Sequence, residues 1–280
     1  MRKTMEQIVI EGQVDKCESL EELYLLWQMM QQMEDEPYGA TCYGEIDQRS
    51  FHIDGVVSPD EFTGNLYILK ETNMRKFIQK GQTMPVISDV RRQIAAGKSV
   101  TGEVEYLDYL AGMQRILNED QESGSGKGSA QKLLKQTAVV YVNKRGGKGA
   151  ADEISMDYGQ YYIEFLKRQI ELLRPKTIVC CSDEIFRLIV MEVFHNKRQK
   201  KNQEIYMKWK NLVSGDIFYA DSQFRPTTDE GNAAVRVILM WNPAYRVNNG
   251  QYVSLDEYLK EFERRVKKQS EECEDSEKNS

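Results

Sequence analysis

The chain has 280 residues, of which 40% are hydrophobic and 29% are charged, and its formal net charge at pH 7 is -6. This length and hydrophobic content suit one large α/β domain or two small ones and exclude a wholly disordered protein. The negative charge excludes a strongly basic nucleic-acid coat but allows a local basic patch.

The chain carries no pattern that predicts export or membrane insertion. Its longest apolar runs, such as residues 177–181, are far shorter than the roughly 20 residues that span a bilayer. The charged N-terminus is not followed by the apolar core of a secretory signal. We therefore expect a soluble cytoplasmic protein without a membrane partner.

The cysteines and histidines predict neither a disulfide framework nor a metal site. The five cysteines are an odd number without a repeating spacing, and no two of them have the two-residue gap of a zinc site. The two histidines, His52 and His195, are too few for a histidine-rich metal site. We expect no metal and no cofactor, and we interpret His52 as structural.

Helical and strand patterns alternate along the chain. Ser19 and Glu22 form a capping-box pattern before a helix over about residues 20–33. Four apolar runs predict buried strands, at residues 66–69, 138–142, 177–181 and 235–240. Amphipathic helical patterns lie between these runs, and a last one covers residues 255–266. We read the Gly/Ser-rich segment 122–129 as a linker.

This alternation predicts a three-layer α/β/α fold around a central, mainly parallel, four-stranded sheet. We expect the strands at 138–142 and 177–181 to be neighbours. The predicted organisation is an N-terminal helical extension over residues 1–50, an α/β domain over residues 51–266 and a disordered charged tail over residues 267–280.

Polar residues follow three of the four predicted strands. They are Glu71-Thr72-Asn73, Asn143-Lys144-Arg145-Gly146-Gly147 and Asn242-Pro243. Since open parallel sheets bind ligands beyond the carboxyl ends of their strands, we expect a site there.

These strand ends resemble the uracil-DNA glycosylase superfamily, specifically a divergent bacterial branch, over roughly residues 51–262. That superfamily places a water-activating Asp or Asn after an early strand, a uracil-reading Asn after the next, and His-Pro-Ser or Asn-Pro-Ser after the last. The corresponding segments here are Lys70-Glu71-Thr72-Asn73, Asn143 and Asn242-Pro243-Ala244. The first segment lacks the family's glycine and proline, and Ala244 replaces a serine that helps hold DNA phosphate.

The resemblance implies a fold, a reaction and site residues. The implied reaction is hydrolysis of the N-glycosidic bond of uracil or another altered base. Glu71, Thr72, Asn73 and Asn242 would then be catalytic, and Asn143 would bind the flipped base through its amide.

Three of these residues also have a structural interpretation. Glu71 can form a salt bridge with Lys70, Lys144 or Arg145. Asn143 and Asn242 are also typical of turns, where an amide bonds to its own backbone.

Basic and aromatic residues predict nucleic acid, with DNA favoured over RNA, as the partner. The candidate contacts are Lys144, Arg145, Lys148, Lys200, Lys201, Tyr245 and Arg246. The alternative for the basic run around Lys200 is a solvated helix end, and for Tyr245 and Arg246 a plain surface loop.

Three functions follow as hypotheses. The first is a base-excising enzyme, and the second is a catalytically inactive relative that binds nucleic acid or a nucleotide in the same cleft. The third is an unrelated α/β enzyme whose Gly146-Gly147 loop holds a phosphate.

Overall fold

A computed structural model of the protein describes residues 3–33, 46, 48–74, 87–98, 105–120, 129–147, 154–194, 217–220, 235–243 and 253–277. Within these ranges, the side chains of residues 73, 105, 120, 154, 217–220 and 268–277 are not described. All statements below concern the described residues.

The described strands form one large and one small sheet. The strands are β1 (Phe51–Ile53), β2 (Gly55–Val56), β3 (Asn65–Asn73), β4 (Ile87–Asp89), β5 (Thr137–Gly147), β6 (Thr177–Cys180), β7 (Ile217–Ala220) and β8 (Val235–Leu239). The large sheet has the order β2-β5-β3-β6-β8-β7, and β1 pairs with β4 separately. The four central strands run parallel, whereas β2 and β7 are antiparallel to their neighbours.

The α/β class is confirmed, but two details of the predicted sheet are wrong. The sheet is mixed and has six strands in the described residues rather than four. β5 and β6 are not neighbours, because β3 pairs with both of them and lies between them. A continuous apolar run shows that a strand is buried on both faces, but it carries no information about which strand lies beside it.

Helices supply the rest of the framework. They are α1 (Met5–Glu11), α2 (Leu20–Gln32), α3 (Val90–Ala95), α4 (Glu105–Asp120), α5 (Ala130–Lys135), α6 (Ile154–Tyr161), α7 (Ile163–Leu173), α8 (Asp183–Leu188) and α9 (Leu255–Glu277). A π-helical turn over Ile189–Val193 continues α8, and short 3-10 turns cover Val14–Lys16 and Pro59–Glu61. No helix in these ranges has both the length and the apolar character needed to cross a membrane.

The strands separate two apolar cores. Side chains alternate along a strand, so Leu66 and Ile68 of β3 enter one core while Tyr67 and Leu69 enter the other. The first core includes residues of α2, α6, α7 and α8. The second includes residues of α3, α4, α5 and α9.

The helices of the predicted N-terminal extension contribute to the first core. Trp27 of α2 is fully buried. Its ring lies 6.1 Å from the ring of Phe51, 5.9 Å from that of Tyr162 and 5.3 Å from that of Phe165. These helices therefore pack as part of the α/β core.

The last helix, α9, runs to Glu277 and so extends beyond residue 267, where the sequence predicts a disordered tail. Its start is capped by Ser254, whose hydroxyl accepts the Glu257 backbone N–H at 3.3 Å. The tail is rich in Glu and Lys and contains no glycine or proline. Both residue types favour helix without needing burial, so a polar composition does not by itself prevent the helix from continuing.

Candidate active site at the carboxyl ends of the parallel strands

The carboxyl ends of β3 and β5 bring Glu71 and Asn143 side by side. The two strands are parallel neighbours, and Glu71 is opposite Asn143 in their register. The register shifts between Glu71 and Asn73, so that Asn73 is opposite Gly147. This irregularity lies at the carboxyl ends of the parallel strands, where the sequence predicts a ligand site.

Two donors hold one oxygen of the Glu71 carboxylate. The Asn143 amide donates to Oε2 at 2.9 Å, and the Ser155 hydroxyl donates to the same oxygen at 2.6 Å. Ser155 lies in the first turn of α6, so a strand and a helix both orient the carboxylate. Charge-assisted hydrogen bonds of this kind are stronger than neutral ones.

The glycine pair beside this carboxylate has a steric explanation. A Cβ added at Gly147 would lie 1.8 Å from Oε1 of Glu71, so any side chain there would displace the carboxylate. Gly146 has φ +86°, which glycine adopts without strain. Close packing and backbone conformation thus account for both glycines, without the phosphate invoked by the third hypothesis.

The amide of Asn143 is occupied by contacts within the protein. Besides Glu71, its Nδ2 donates to the Gly146 carbonyl at 3.2 Å, and its Oδ1 accepts the Arg145 backbone N–H at 3.0 Å. The side chain is fully buried. This is the turn chemistry of the structural interpretation, and it also fixes the position of Glu71.

Two predicted nucleic-acid contacts, Lys144 and Arg145, are buried rather than exposed. Lys144 has 0% of its surface exposed and Arg145 has 2%. Lys144 Nζ donates to Asp54 Oδ2 at 2.6 Å and to the Tyr141 carbonyl at 2.8 Å. Arg145 Nη2 donates to the Ile46 carbonyl at 3.2 Å. Both cations are therefore enclosed by protein rather than presented to a phosphate.

Asp54 is the buried counterion that explains the position of Lys144. Its Oδ1 accepts from Gln169 at 2.6 Å, and its Oδ2 accepts the Tyr141 backbone N–H at 2.7 Å. Burial lowers the pKa of Lys144, and the charge of Asp54 opposes that decrease. The pair is fully enclosed, so it serves the fold beneath the site.

A second ion pair connects β3 to the helix that follows β6. Lys70 Nζ lies 3.6 Å from Glu184 Oε2. Burial acts to raise the pKa of Glu184, but hydrogen bonding to its backbone and the charge of Lys70 lower the pKa overall. Two of the cations considered as partners of Glu71 thus pair with other carboxylates. Lys70 pairs with Glu184, and Lys144 pairs with Asp54.

Of the remaining predicted site residues, one lies beside this cluster, one is separated from it, and the side chains of the others lie outside the described part. Thr72 is buried beside Glu71. Asn242 follows β8, which is two strands from β3 and hence about 10 Å away at the usual strand spacing. The side chains outside the described residues are those of Asn73, Lys148, Lys200, Lys201, Tyr245 and Arg246.

His52, interpreted from the sequence as structural, lies next to Gly146. Its Nδ1 is 2.7 Å from the Ser88 hydroxyl, and its buried Nε2 has no hydrogen-bond partner among the described residues. Burial, and secondly the charge of Lys144, lower the pKa of His52 to about 4. The histidine is therefore neutral at physiological pH.

Ser155 and Asp54 are not among the site residues predicted from the sequence. Ser155 lies 84 residues after Glu71, and Asp54 lies 90 residues before Lys144. The sequence signals were a serine shortly before a helical pattern and an aspartate within an apolar stretch, and both patterns are common. Among the described residues, no group of three or more His, Cys, Asp or Glu side chains is placed to hold a metal ion.

The chemistry available at these strand ends is that of one oriented carboxylate supported by amide and hydroxyl donors. Comparison with known proteins identifies no family for this chain, since no family model and no curated protein matches its sequence.

Proposed function

We propose that the protein has a uracil-DNA glycosylase-like arrangement and hydrolyses the N-glycosidic bond of uracil or another altered base in nucleic acid. The observation that supports this proposal is the Glu71 carboxylate, held by Asn143 and Ser155 at the carboxyl end of β3. Ligands of open parallel sheets bind beyond the carboxyl ends of the strands. The resemblance described above places the water-activating group of the superfamily at the same strand end.

In the proposed reaction, Glu71 orients a water molecule and accepts its proton. The water oxygen bonds to C1′ of the sugar as the bond from C1′ to the base nitrogen breaks, and the bonding electrons leave with the base. The negative carboxylate also offsets the positive charge that develops on the sugar. Asn242, from the end of β8, donates to the oxygen of the departing base.

The structure suggests a different role for Asn143 from the one that the resemblance implies. Both hydrogens of its amide point to acceptors within the protein, Glu71 and the Gly146 carbonyl. We therefore assign Asn143 as a positioning residue for Glu71 rather than as the reader of the base edge.

Nucleic acid, DNA before RNA, is the proposed partner because of the sequence pattern around residues 197–210. Lys200 and Lys201 lie in a basic run that is interleaved with Tyr206 and Trp209. Lysines neutralise phosphates and aromatic rings stack on bases, so this composition suits a single or double strand.

The second candidate function is binding without catalysis, in the same cleft. The observation that favours it is that the Asn143 amide is engaged inside the protein, with Glu71 and the Gly146 carbonyl. A cleft that has lost its base-reading amide to internal contacts retains a surface for nucleic acid or a nucleotide without base selection.

Base release under single-turnover conditions tests the catalytic proposal. Oligonucleotides containing uracil, hypoxanthine or xanthine are incubated with excess protein, and strand breaks at abasic sites are counted after alkali. We expect Glu71→Gln to slow release by a factor of about 10² or more, in the usual range for a general base. Glu119→Gln changes an exposed glutamate on α4 and should leave release unchanged.

Binding is measured separately by fluorescence anisotropy across a salt series. The logarithm of affinity should fall with the logarithm of salt with a slope of roughly -0.9 per phosphate contact on duplex DNA. Substituting Lys200 and Lys201 with glutamate should weaken binding and flatten this slope. Salt-dependent binding without base release would support the second candidate, and neither binding nor release would overturn both.

A further inference from the structure

Exposed apolar side chains are concentrated on the first two helices. Seven large hydrophobic side chains are exposed in the described part of the chain, and six of them belong to α1, α2 and the cap of α2. They are Met5 (76% exposed), Ile8 (50%), Val9 (59%), Leu25 (64%), Met29 (50%) and Met33 (36%). The seventh, Ile87, lies on β4 and is 59% exposed.

These six side chains form two ridges on neighbouring antiparallel helices. Gln7, near the start of α1, donates to the carbonyl of Met33 at the end of α2, at 3.0 Å. On α2, the exposed ridge recurs every four residues, at positions 25, 29 and 33, while Trp27 and Met30 face the core. On α1, the exposed positions are 5, 8 and 9. Each helix thus carries exposed apolar side chains as well as its buried ones, beside the exposed polar residues Glu6, Glu21, Glu22 and Gln32.

The exposed area is large enough for an interface between two proteins. From their exposed fractions, the six side chains present on the order of 600 Å² per chain. Two copies would together bury roughly 1,200 Å², the lower end of the range for specific protein interfaces. Apolar surface of this extent on a monomer marks an interaction site.

We infer that these two ridges, here called the α1/α2 face, form the interface of a homodimer. A ridge repeating every four residues packs between the same ridges of an identical helix, which is the commonest mode of helix packing in globular proteins. A two-fold axis makes such a face self-complementary. The methionines add side chains that adapt to an irregular neighbour.

The charges around the face favour a second copy over other occupants. Glu21 and Glu22 lie in the first turn of α2, and Glu21 pairs with Arg91 at 3.8 Å. Residues 3–33 contain six acidic and two basic residues. Glu6 lies in the first turn of α1. These carboxylates would be repelled by an anionic lipid surface or by nucleic acid. In an antiparallel pair of α2 helices, by contrast, the acidic ends lie at opposite ends of the interface.

Sedimentation equilibrium of the full chain tests this inference. We expect reversible dimerisation with a Kd of roughly micromolar order, as for an interface of this size. A variant with both Leu25→Glu and Met29→Glu should weaken dimerisation at least about 100-fold, because it places charges at the centre of the interface. Both positions are exposed in one copy, so far-ultraviolet circular dichroism should show an intact fold.

Ile87→Glu is the matched control, since it makes the same kind of substitution at an exposed apolar residue that belongs to neither α1 nor α2. It should leave the dimerisation constant unchanged. A wild-type chain that stays monomeric at about a hundred micromolar, well above the expected Kd, would overturn the inference. So would a monomer that instead binds neutral lipid vesicles through the same residues.

Discussion

Protonation of His52 should make the protein unstable in mild acid. The imidazole is buried, and the described part of the chain provides no acceptor for the proton that its Nε2 would gain. Its pKa is lowered from 6.5 to about 4 by burial and by the nearby charge of Lys144. The unfolded chain therefore binds this proton more readily than the folded chain in the interval between the two pKa values. The stability that the neutral His52 contributes is fully present above pH 6.5 and is lost as the pH falls toward 4.

The size of this effect follows from the two pKa values. Each pKa unit corresponds to about 1.4 kcal/mol, so the complete effect is about 3 kcal/mol, of which about 2 kcal/mol falls between pH 7 and 4.5. Glu261 acts in a lower window, because Arg264 and Arg265 hold its pKa at about 2. Its contribution is present above its ordinary pKa of 4.5 and is lost below that value. Measurements above pH 4.5 therefore separate the two groups.

Urea denaturation at a series of pH values measures this dependence. Wild type should lose about 2 kcal/mol of unfolding free energy between pH 7 and 4.5 from His52 alone. His52→Asn keeps a polar group for Ser88 but cannot titrate. Between pH 7 and 4.5 the unfolding free energy of this variant should therefore fall by about 2 kcal/mol less than that of wild type. An equal pH dependence in wild type and variant would refute the assignment of this acid sensitivity to His52.

Four further substitutions test the buried network, the site and the N-terminal helices. Asp54→Ala should cost about 3–5 kcal/mol of unfolding free energy in urea denaturation, because it leaves Lys144 as a buried, uncompensated charge. Lys144→Met should cost less in the same assay, since Asp54 keeps its other donors. Gly147→Ala should reduce base release as much as Glu71→Gln does, since the added Cβ displaces that carboxylate. Trp27→Ala should cost about 3–5 kcal/mol in urea denaturation.

The sequence predicted the strands of the parallel sheet but not their order. The runs around Leu66, Val140, Ile178 and Val237 are apolar on both faces, which identifies buried strands. Their order depends on how the chain crosses from β5 past β3 to β6, and side-chain periodicity does not encode this crossing. The edge strands were missed because β2 is only two residues long and β7 lies among polar sequence.

The juxtaposition of Glu71 and Asn143 was predictable, because it depends on neighbouring strand ends. Glu71 and Asn143 each end an apolar run, and parallel pairing of those runs brings them together. The burial of Lys144 could not be predicted in the same way, because its counterion is distant in sequence and comes from a short connection between β1 and β2. Ser155 was missed for a similar reason, since it reaches Glu71 only after the chain has left β5 and begun α6.

The side-chain amide of Asn143 provides the most direct measurement of the central claim, that nucleic acid is bound and processed beside Glu71. Its two hydrogens, donated to Glu71 and the Gly146 carbonyl, give nitrogen-15 NMR signals that Asn143→Asp identifies by their disappearance. Titration with an oligonucleotide carrying uracil or an abasic site should shift these signals in wild type. Binding that shifts other resonances and leaves the Asn143 amide unchanged would contradict a ligand site at this strand end.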